Sequence, residues 1–331
     1  MRPSRAAFIA ATGAALALPA FAAAQTPVTL RYIYFPGTDL LPTFAGIAKG
    51  FYAREGLTLA LTPTPGSVYQ FQHLSAGDFD LAFTAMDNII AYDEGQGQAP
   101  LPNPADFVAI LGGDNAFLRL YTRADIASFA DLRGKTLAVD ALTTGFAFVL
   151  RSVLEKNGVH DGEYTLQPLG GTPARYAALL DGSVAATILN APFDLLGNAH
   201  GLKQLGDVNA TIGPYQGVVT AVRRSWLAAN PAAATGYVRG TLAGLRWMYD
   251  PANHDEAVQL LVDMGKFPAP VAAAMLPVLT AANGGMDPAG RMDIPGVKTV
   301  LALRSRYGVP QKTLTDPFAY YDGSAYLRAT K

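Results

Sequence analysis

Residues 41–84 constrain this chain more than any other stretch. The text reads LPTFAGIAKGFYAREGLTLALTPTPGSVYQFQHLSAGDFDLAFT. Phe44, Ile47, Ala48 and Phe51 recur at helical spacing, which predicts a helix stopped at Gly56, before an apolar strand Leu57–Leu61. A turn-rich loop, Thr62 to Gly66, leads through Ser67 into a second helix closed by Gly77, and a strand follows from Asp80 to Thr84. Strand, glycine- or serine-led loop, helix, strand is the order that points helix-start N–H groups into one crevice. An α/β protein builds a small-molecule site in this way.

The same grammar extends along the chain. Val28 to Phe35 opens as a strand, Asn88 to Glu94 reads as a helix, Gly95 to Pro104 as a surface loop, and Phe107 to Leu111 as a strand. Gly112-Gly113-Asp114 breaks that strand, and Phe117 to Thr122 resumes extended structure. A second unit then repeats the pattern: strand Thr136–Asp140, helix Phe146–Asn157, strand Tyr164–Leu169, helix Pro173–Asp181, strand Ala185–Leu189. Alternation of this kind favours mainly parallel sheets. Gly217 to Val222 reads as a return strand. Helices follow at Pro231–Met248, Asp255–Met264, Pro270–Ala282 and Val297–Tyr307, then a short C-terminal piece, all expected to close over the first unit. The division predicted is a first lobe of 25–113, a second of 114–214, and a return to the first over 215–331.

Composition narrows the function. Residues 1–24 read as an export signal: Arg2 and Arg5 form a basic start, Ala6 to Phe21 are apolar but too short for a span, and small residues precede Gln25. No paired arginines and no Cys at the cleavage point favour the general secretory route and exclude a lipoprotein. Taking Arg2 and Arg5 from the 25 basic residues leaves 23 against 26 acidic, a charge of −3, with no electrostatic basis for holding nucleic acid or anionic membrane. Zero cysteines remove disulfides, thiolate metal sites and Cys nucleophiles. The roughly 307 remaining residues exceed one ordinary core, so two lobes are expected.

Two phrases carry a family resemblance. Gly50, Phe51, Tyr52, Glu55, Gly56 and Leu57 form one; Gly66, Ser67, Gln70, Leu74, Gly77, Asp80, Leu81 and Ala82 form the other. Together they resemble the solute-binding proteins of ABC importers in the sulfonate, nitrate, taurine and thiamine-precursor group. Asp131-Leu132-Arg133-Gly134-Lys135 is similar to the phrase that opens the second lobe in many such receptors. The resemblance implies an α/β, two-lobed, type II periplasmic-binding-protein-like fold with a hinge of two crossover strands. It further implies a periplasmic monomer that hands a small solute to an inner-membrane permease with a separate ATPase, and no cofactor. Two departures matter. Taurine-type relatives place an acid near position 190, where this chain has Asn190-Ala191-Pro192. An enzyme among the thiamine-precursor relatives consumes its own His and needs cysteines for iron, which this chain lacks.

Catalytic constellations are absent from the text. His73, His160, His200 and His254 lack ligand spacing, and there is no nucleophile elbow or phosphate loop. Binding residues are sought instead in the loops after the strands. From the first lobe come Phe35, Thr38, Asp39, Gly66, Ser67, Gln70, Met86 and Asn88. The crossing offers Asp114 and Asn115. The second lobe and return offer Thr143, Thr144, Gly145, Phe146, Arg175, Asn190, Pro192, Phe193 and Tyr215. Ser67, Thr144 and Thr172 either cap their own helices or offer donors to a ligand. Gln70 either reaches the cleft or ties its loop, and Arg175 points either into the cleft or to solvent. The aromatics either wall a planar ligand or fill the lobe cores. Acids recur at Asp39, Asp87, Asp114, Asp140 and Asp194, a pattern that suits an amine, amidine or hydroxyl better than an anion. A sensing module for a signalling receptor, or an enzyme acting on a thiamine-precursor-like compound, remain the alternatives to import.

Overall fold

The computed structural model describes residues 26–282 and 285–331; the expected export signal lies outside them. Among the described residues, ten strands form two five-stranded sheets. The first sheet has the order β2-β1-β3-β10-β4, with β1 Val28–Tyr34, β2 Leu57–Pro63, β3 Leu81–Ala85, β4 Phe107–Gly112 and β10 Val218–Arg223. β1 runs parallel to β2, with Val28 opposite Leu57, and parallel to β3, with Tyr32 opposite Leu81. β10 is antiparallel to both its neighbours, β3 and β4. The second sheet has the order β7-β6-β8-β5-β9, with β5 Arg119–Thr122, β6 Thr136–Val139, β7 Thr165–Pro168, β8 Ala186–Leu189 and β9 Lys203–Asp207. Each sheet therefore carries one reversed strand among four that point the same way. β4 and β8 are buried along their whole length because helices cover both faces, which is why they read as unbroken apolar runs.

The helices are α1 Leu41–Ala48, α2 Phe51–Arg54, α3 Ser67–Ala76, α4 Met86–Asp93, α5 Gly145–Lys156, α6 Thr172–Leu180 and α7 Phe193–Ala199. They continue as α8 Val208–Ile212, α9 Arg224–Ala229, α10 Pro231–Tyr249, α11 His254–Asp263, α12 Ala269–Leu279, α13 Ile294–Tyr307 and α14 Ser324–Ala329. None is long and apolar enough to cross a membrane among the described residues. The helix expected to reach Gly56 is split: Gly50 turns left-handed at φ 68° and starts α2 afresh. That break swings Tyr52 inward, where its ring occupies the space a Cβ would take on Gly46 of α1 and Gly240 of α10, and its hydroxyl meets Thr241 Oγ1 at 2.8 Å.

β9, α7 and α8 are additional to the expected elements. The C-terminal helices also depart from expectation. α10 packs on α1, α2 and α14, whereas α13 lies against both α4 of the first unit and α5 of the second. The chain passes between the two sheets twice, through 113–118 and 213–217. The two passages are joined by the Gly217 N–H donating to Asp114 O at 2.8 Å and by Gln216 Nε2 donating to the same carbonyl at 3.0 Å.

Candidate functional site

Loops at the ends of the two sheets meet at the crossing segments. Ala191 and Leu195 of the second unit pack into the same apolar cluster as Leu40, Phe83 and Leu111 of the first, and Phe117 of the crossing joins them. Ala116 and Phe117 both hold positive φ, 63° and 48°, in the strained left-handed region for side-chain-bearing residues. Each is held there by the side chain two residues before it. Ala116 N–H donates to Asp114 Oδ1 at 2.6 Å, and Phe117 N–H to Asn115 Oδ1 at 3.0 Å.

Asp114 is the centre of this region. It is 6% exposed, and its Oδ2 is buried without a donor from another side chain type or the backbone. Asp39, from the turn after β1, lies beside it. Burial pushes Asp39 well above the usual carboxylate range, and the Asp114 charge pushes it further. Burial also raises Asp114, to about 6, although the Ala116 and Val218 N–H groups oppose the rise. Two neighbouring carboxylates resist being ionised together. A proton held on Asp39 supplies the donor that Asp114 Oδ2 lacks. Gly37 makes room for the arrangement: a Cβ there would stand 2.2 Å from Asp39 Oδ1.

The other acids are compensated. Asp87, at the start of α4, forms a two-point pair with Arg304 of α13, both nearly inaccessible. It also accepts the Gly145 N–H at 2.7 Å, so one carboxylate joins the first unit to the second. Asp140 accepts the Thr144 hydroxyl at 2.5 Å; burial raises its pKa against the opposing charge of Arg175. Arg175 itself points neither into an open cleft nor to solvent. It is buried, donating to Gly170 O at 3.1 Å, Thr187 Oγ1 at 3.1 Å and Thr172 Oγ1 at 2.9 Å, so it pins the Gly170-Gly171 loop to β8. The gap it lines with Asp140 and Phe146 is too small for a water molecule.

Most remaining candidates can be placed as directly. Thr144 caps α5, accepting the Ala147 N–H. Ser67 and Thr172 are not caps; Gly66 and Gly171 hold those positions, leaving both hydroxyls inside the first turn. Thr172 Oγ1 donates to Asn190 Oδ1 at 2.7 Å, joining two loops of the second unit, and Thr143 beside the α5 cap is half-buried. Gln70 ties the ends of two strands, donating to Phe83 O at 3.0 Å, with its Oε1 buried and unpartnered. Asn88 donates to Thr84 Oγ1, and Met86 N–H donates to Gly217 O. Phe193 packs on Tyr176 within the second unit's own core, and Phe146 lies against the larger one. Thr38 and Pro192 are buried, and Phe35 is half-buried. Tyr215 is buried with its hydroxyl unpartnered. Arg304 and Gln216 were not among the sequence candidates; neither lies in a loop after a parallel strand, so the rule that selected the others passes over them. No group of acids and histidines that could hold a metal occurs among the described residues. A wider groove, about 570 Å³, lies apart from the crossing along the Tyr92–Ala105 loop.

Comparison with known proteins agrees with this architecture. The riboflavin-binding protein RibY of Chloroflexus aurantiacus is 26% identical over 246 residues, 70% of this chain, and the chain spans 65% of that relative's length. The periplasmic nitrate-binding protein NrtA of Synechocystis PCC 6803 superposes with a TM-score of 0.75 at 16% identity, covering 92% of this chain and 88% of the other. The desulfurization enzyme DSZB superposes at 0.62 with 14% identity, covering 92% and 99%. The fold is therefore that of periplasmic binding proteins. The NMT1/THI5-like family model matches residues 37–254, about two thirds of the chain, and the chain belongs to that family.

Proposed function

We propose that this chain is the periplasmic solute-binding component of an ABC importer, working as a monomer that closes its lobes, 25–113 with 215–331 against 114–214, on a small organic molecule. It would pass that molecule to a membrane permease driven by a separate ATPase. The observation that carries the ligand class is the Asp39–Asp114 pair. Asp114 is buried and Asp39 half-buried at the crossing, both carboxyls have raised pKa values, and no cation lies beside them among the described residues, whereas Asp87 and Asp140 have Arg304 and Arg175. A solute with ammonium, N–H or O–H groups offsets the one negative charge this pair keeps, and one bearing a carboxylate or a sulfonate does not. A flavin, with ring N–H and a polyhydroxyl tail, has such donors, and the RibY relative favours that class.

A thermal-shift screen of the exported form tests the reading, with flavins, pyrimidines and amines set against nitrate and sulfonates. Saturable stabilisation by donor-rich compounds is expected, about 2.7 kcal/mol when free ligand reaches 100 times its Kd. Stabilisation by the anions alone would refute the ligand class. The fold also carries a protein named as an enzyme, so the compound that binds should be incubated with the protein and recovered. Recovery unchanged supports a receptor, and conversion would mean catalysis. Permease and ATPase genes beside this one would favour import, and a histidine kinase or cyclase gene would favour sensing.

A further inference from the structure

The first turn of α5 presents backbone N–H groups at the positive end of a 12-residue helix, with that of Gly145 taken by Asp87 and that of Ala147 by the Thr144 cap. Around it gather the other parts of an anion receptor. Arg304 brings a planar guanidinium, 1% exposed, stacked 4.8 Å over the ring of Phe148 in the next turn of α5. Two of its nitrogens, Nε and Nη2, bind one carboxylate in the two-point geometry that guanidinium prefers. Its third, Nη1, is buried without a partner, and so is the hydroxyl of Tyr215, on which the charges of Asp87 and Arg304 both act. The guanidinium therefore keeps one donor nitrogen that no acceptor of this chain takes. The one anion they share is a side chain of this protein: Asp87 from α4 takes the Gly145 N–H at 2.7 Å and the Arg304 fork together. Position 145 leaves space for it, since a Cβ there would stand 2.3 Å from the Asp87 carboxyl carbon.

We propose that the start of α5 and Arg304 form an anion subsite that this chain fills with its own Asp87, which makes Asp87 the residue that turns anionic solutes away. The second half rests on the receptor reading above; the first half does not. A carboxylate tethered to α4 competes at an effective concentration no free nitrate or sulfonate matches. The subsite is thereby closed to them, and selection passes to the Asp39–Asp114 pair.

The test is anion rescue. Asp87→Gly opens the subsite, and its melting temperature is followed against sodium formate, with sodium chloride at matched ionic strength. Asp87→Leu with Arg304→Met removes both charges and serves as the control. A lowered midpoint in Asp87→Gly that formate restores saturably by several degrees, with parent and double variant flat, supports the proposal. A response to formate no greater than the parent's overturns it. Should Asp87→Gly not fold, Asp87→Asn keeps an acceptor for Gly145 while leaving Arg304 uncompensated; its midpoint should rise with formate more than the parent's, and a parallel response overturns the proposal. Calorimetric titration of the parent with nitrate and methanesulfonate checks the exclusion directly: no saturable heat is expected, and saturable binding of either sinks it. Failed rescue beside a donor-rich solute that binds the parent would refute the subsite and leave the receptor reading standing. Successful rescue with no solute found would do the reverse.

Discussion

At the scale of single residues, burial has been spent on carboxyl groups, and pH should reveal it. Asp114 prefers its proton in the folded state more than in the unfolded chain, where a carboxyl ionises near 4. The folded form therefore binds more protons between about pH 4 and its folded pKa of about 6, and stability contributed by the protonated form is lost as pH rises through that window. Asp114→Asn keeps an oxygen for the Ala116 N–H and removes the charge. Denaturant titrations should find it more stable than the parent by about 1–3 kcal/mol at pH 7 and no more stable at pH 4. An unchanged pH profile would mean that the Asp39–Asp114 pair does not share a proton. Thr144 makes the complementary case. Its hydroxyl is used inside the second unit, donating between Asp140 and the Ala141 carbonyl and accepting from Ala147, so Thr144→Ala should cost about 1–2 kcal/mol of stability through the lost cap. Chemical denaturation checks this, and a neutral result would remove the capping role.

Secondary elements show where the sequence was readable. The 41–84 text yielded its helix–strand–helix–strand order because glycines punctuate it: Gly77 is left-handed at φ 89° where a stop was expected. Gly50, also left-handed, was read as helix interior, since apolar spacing continued through it to Phe51. β9 was not legible. Its KQLGD lies half exposed or more at the sheet edge and alternates no apolar face. The partner of α13 was not legible either, because periodicity tells which face of a helix is buried and not what it is buried against. α13 holds α5 through Tyr307, whose hydroxyl donates to Glu155 Oε2 at 2.7 Å, and through the Arg306–Glu155 pair, while Arg304 holds α4. Glu155→Gln with Tyr307→Phe should loosen that strap. Hydrogen exchange should then quicken in α13 and the second half of α5 and stay unchanged in α10. Equal protection in parent and variant would show that packing alone carries the contact.

The whole molecule repeats one sheet order twice, and this is what the alternation of strands and helices in the sequence had announced. The candidate site was legible more coarsely. The loops that bear Asp39, Asp114, Asp87 and Thr144 stood among the candidates, but the pairing of acids with Arg175 and with the unsuspected Arg304 depends on contacts between segments as far apart as Asp87 and Arg304. Such partners leave no local mark in a single sequence. Two crossing segments and a strap predict limited opening: small-angle scattering should give the mass of a monomer and a radius of gyration that falls on binding the solute found in the screen. An unchanged radius beside tight binding would mean a preformed pocket.

One strand placement has a consequence in time. β10 lies between β3 and β4, so the first sheet, although it begins at Val28, has an internal slot, beside its edge strand β4, that only residues 218–223 can fill. A chain made from its N-terminus leaves that slot vacant through the synthesis of the entire second unit, whose own five strands fall between Arg119 and Asp207 and need nothing made later. The inserted unit can complete its sheet first, and the unit that encloses it in sequence must wait. Were the chain exported unfolded, as the proposed function has it, the half that leads the way out would be the half unable to finish early.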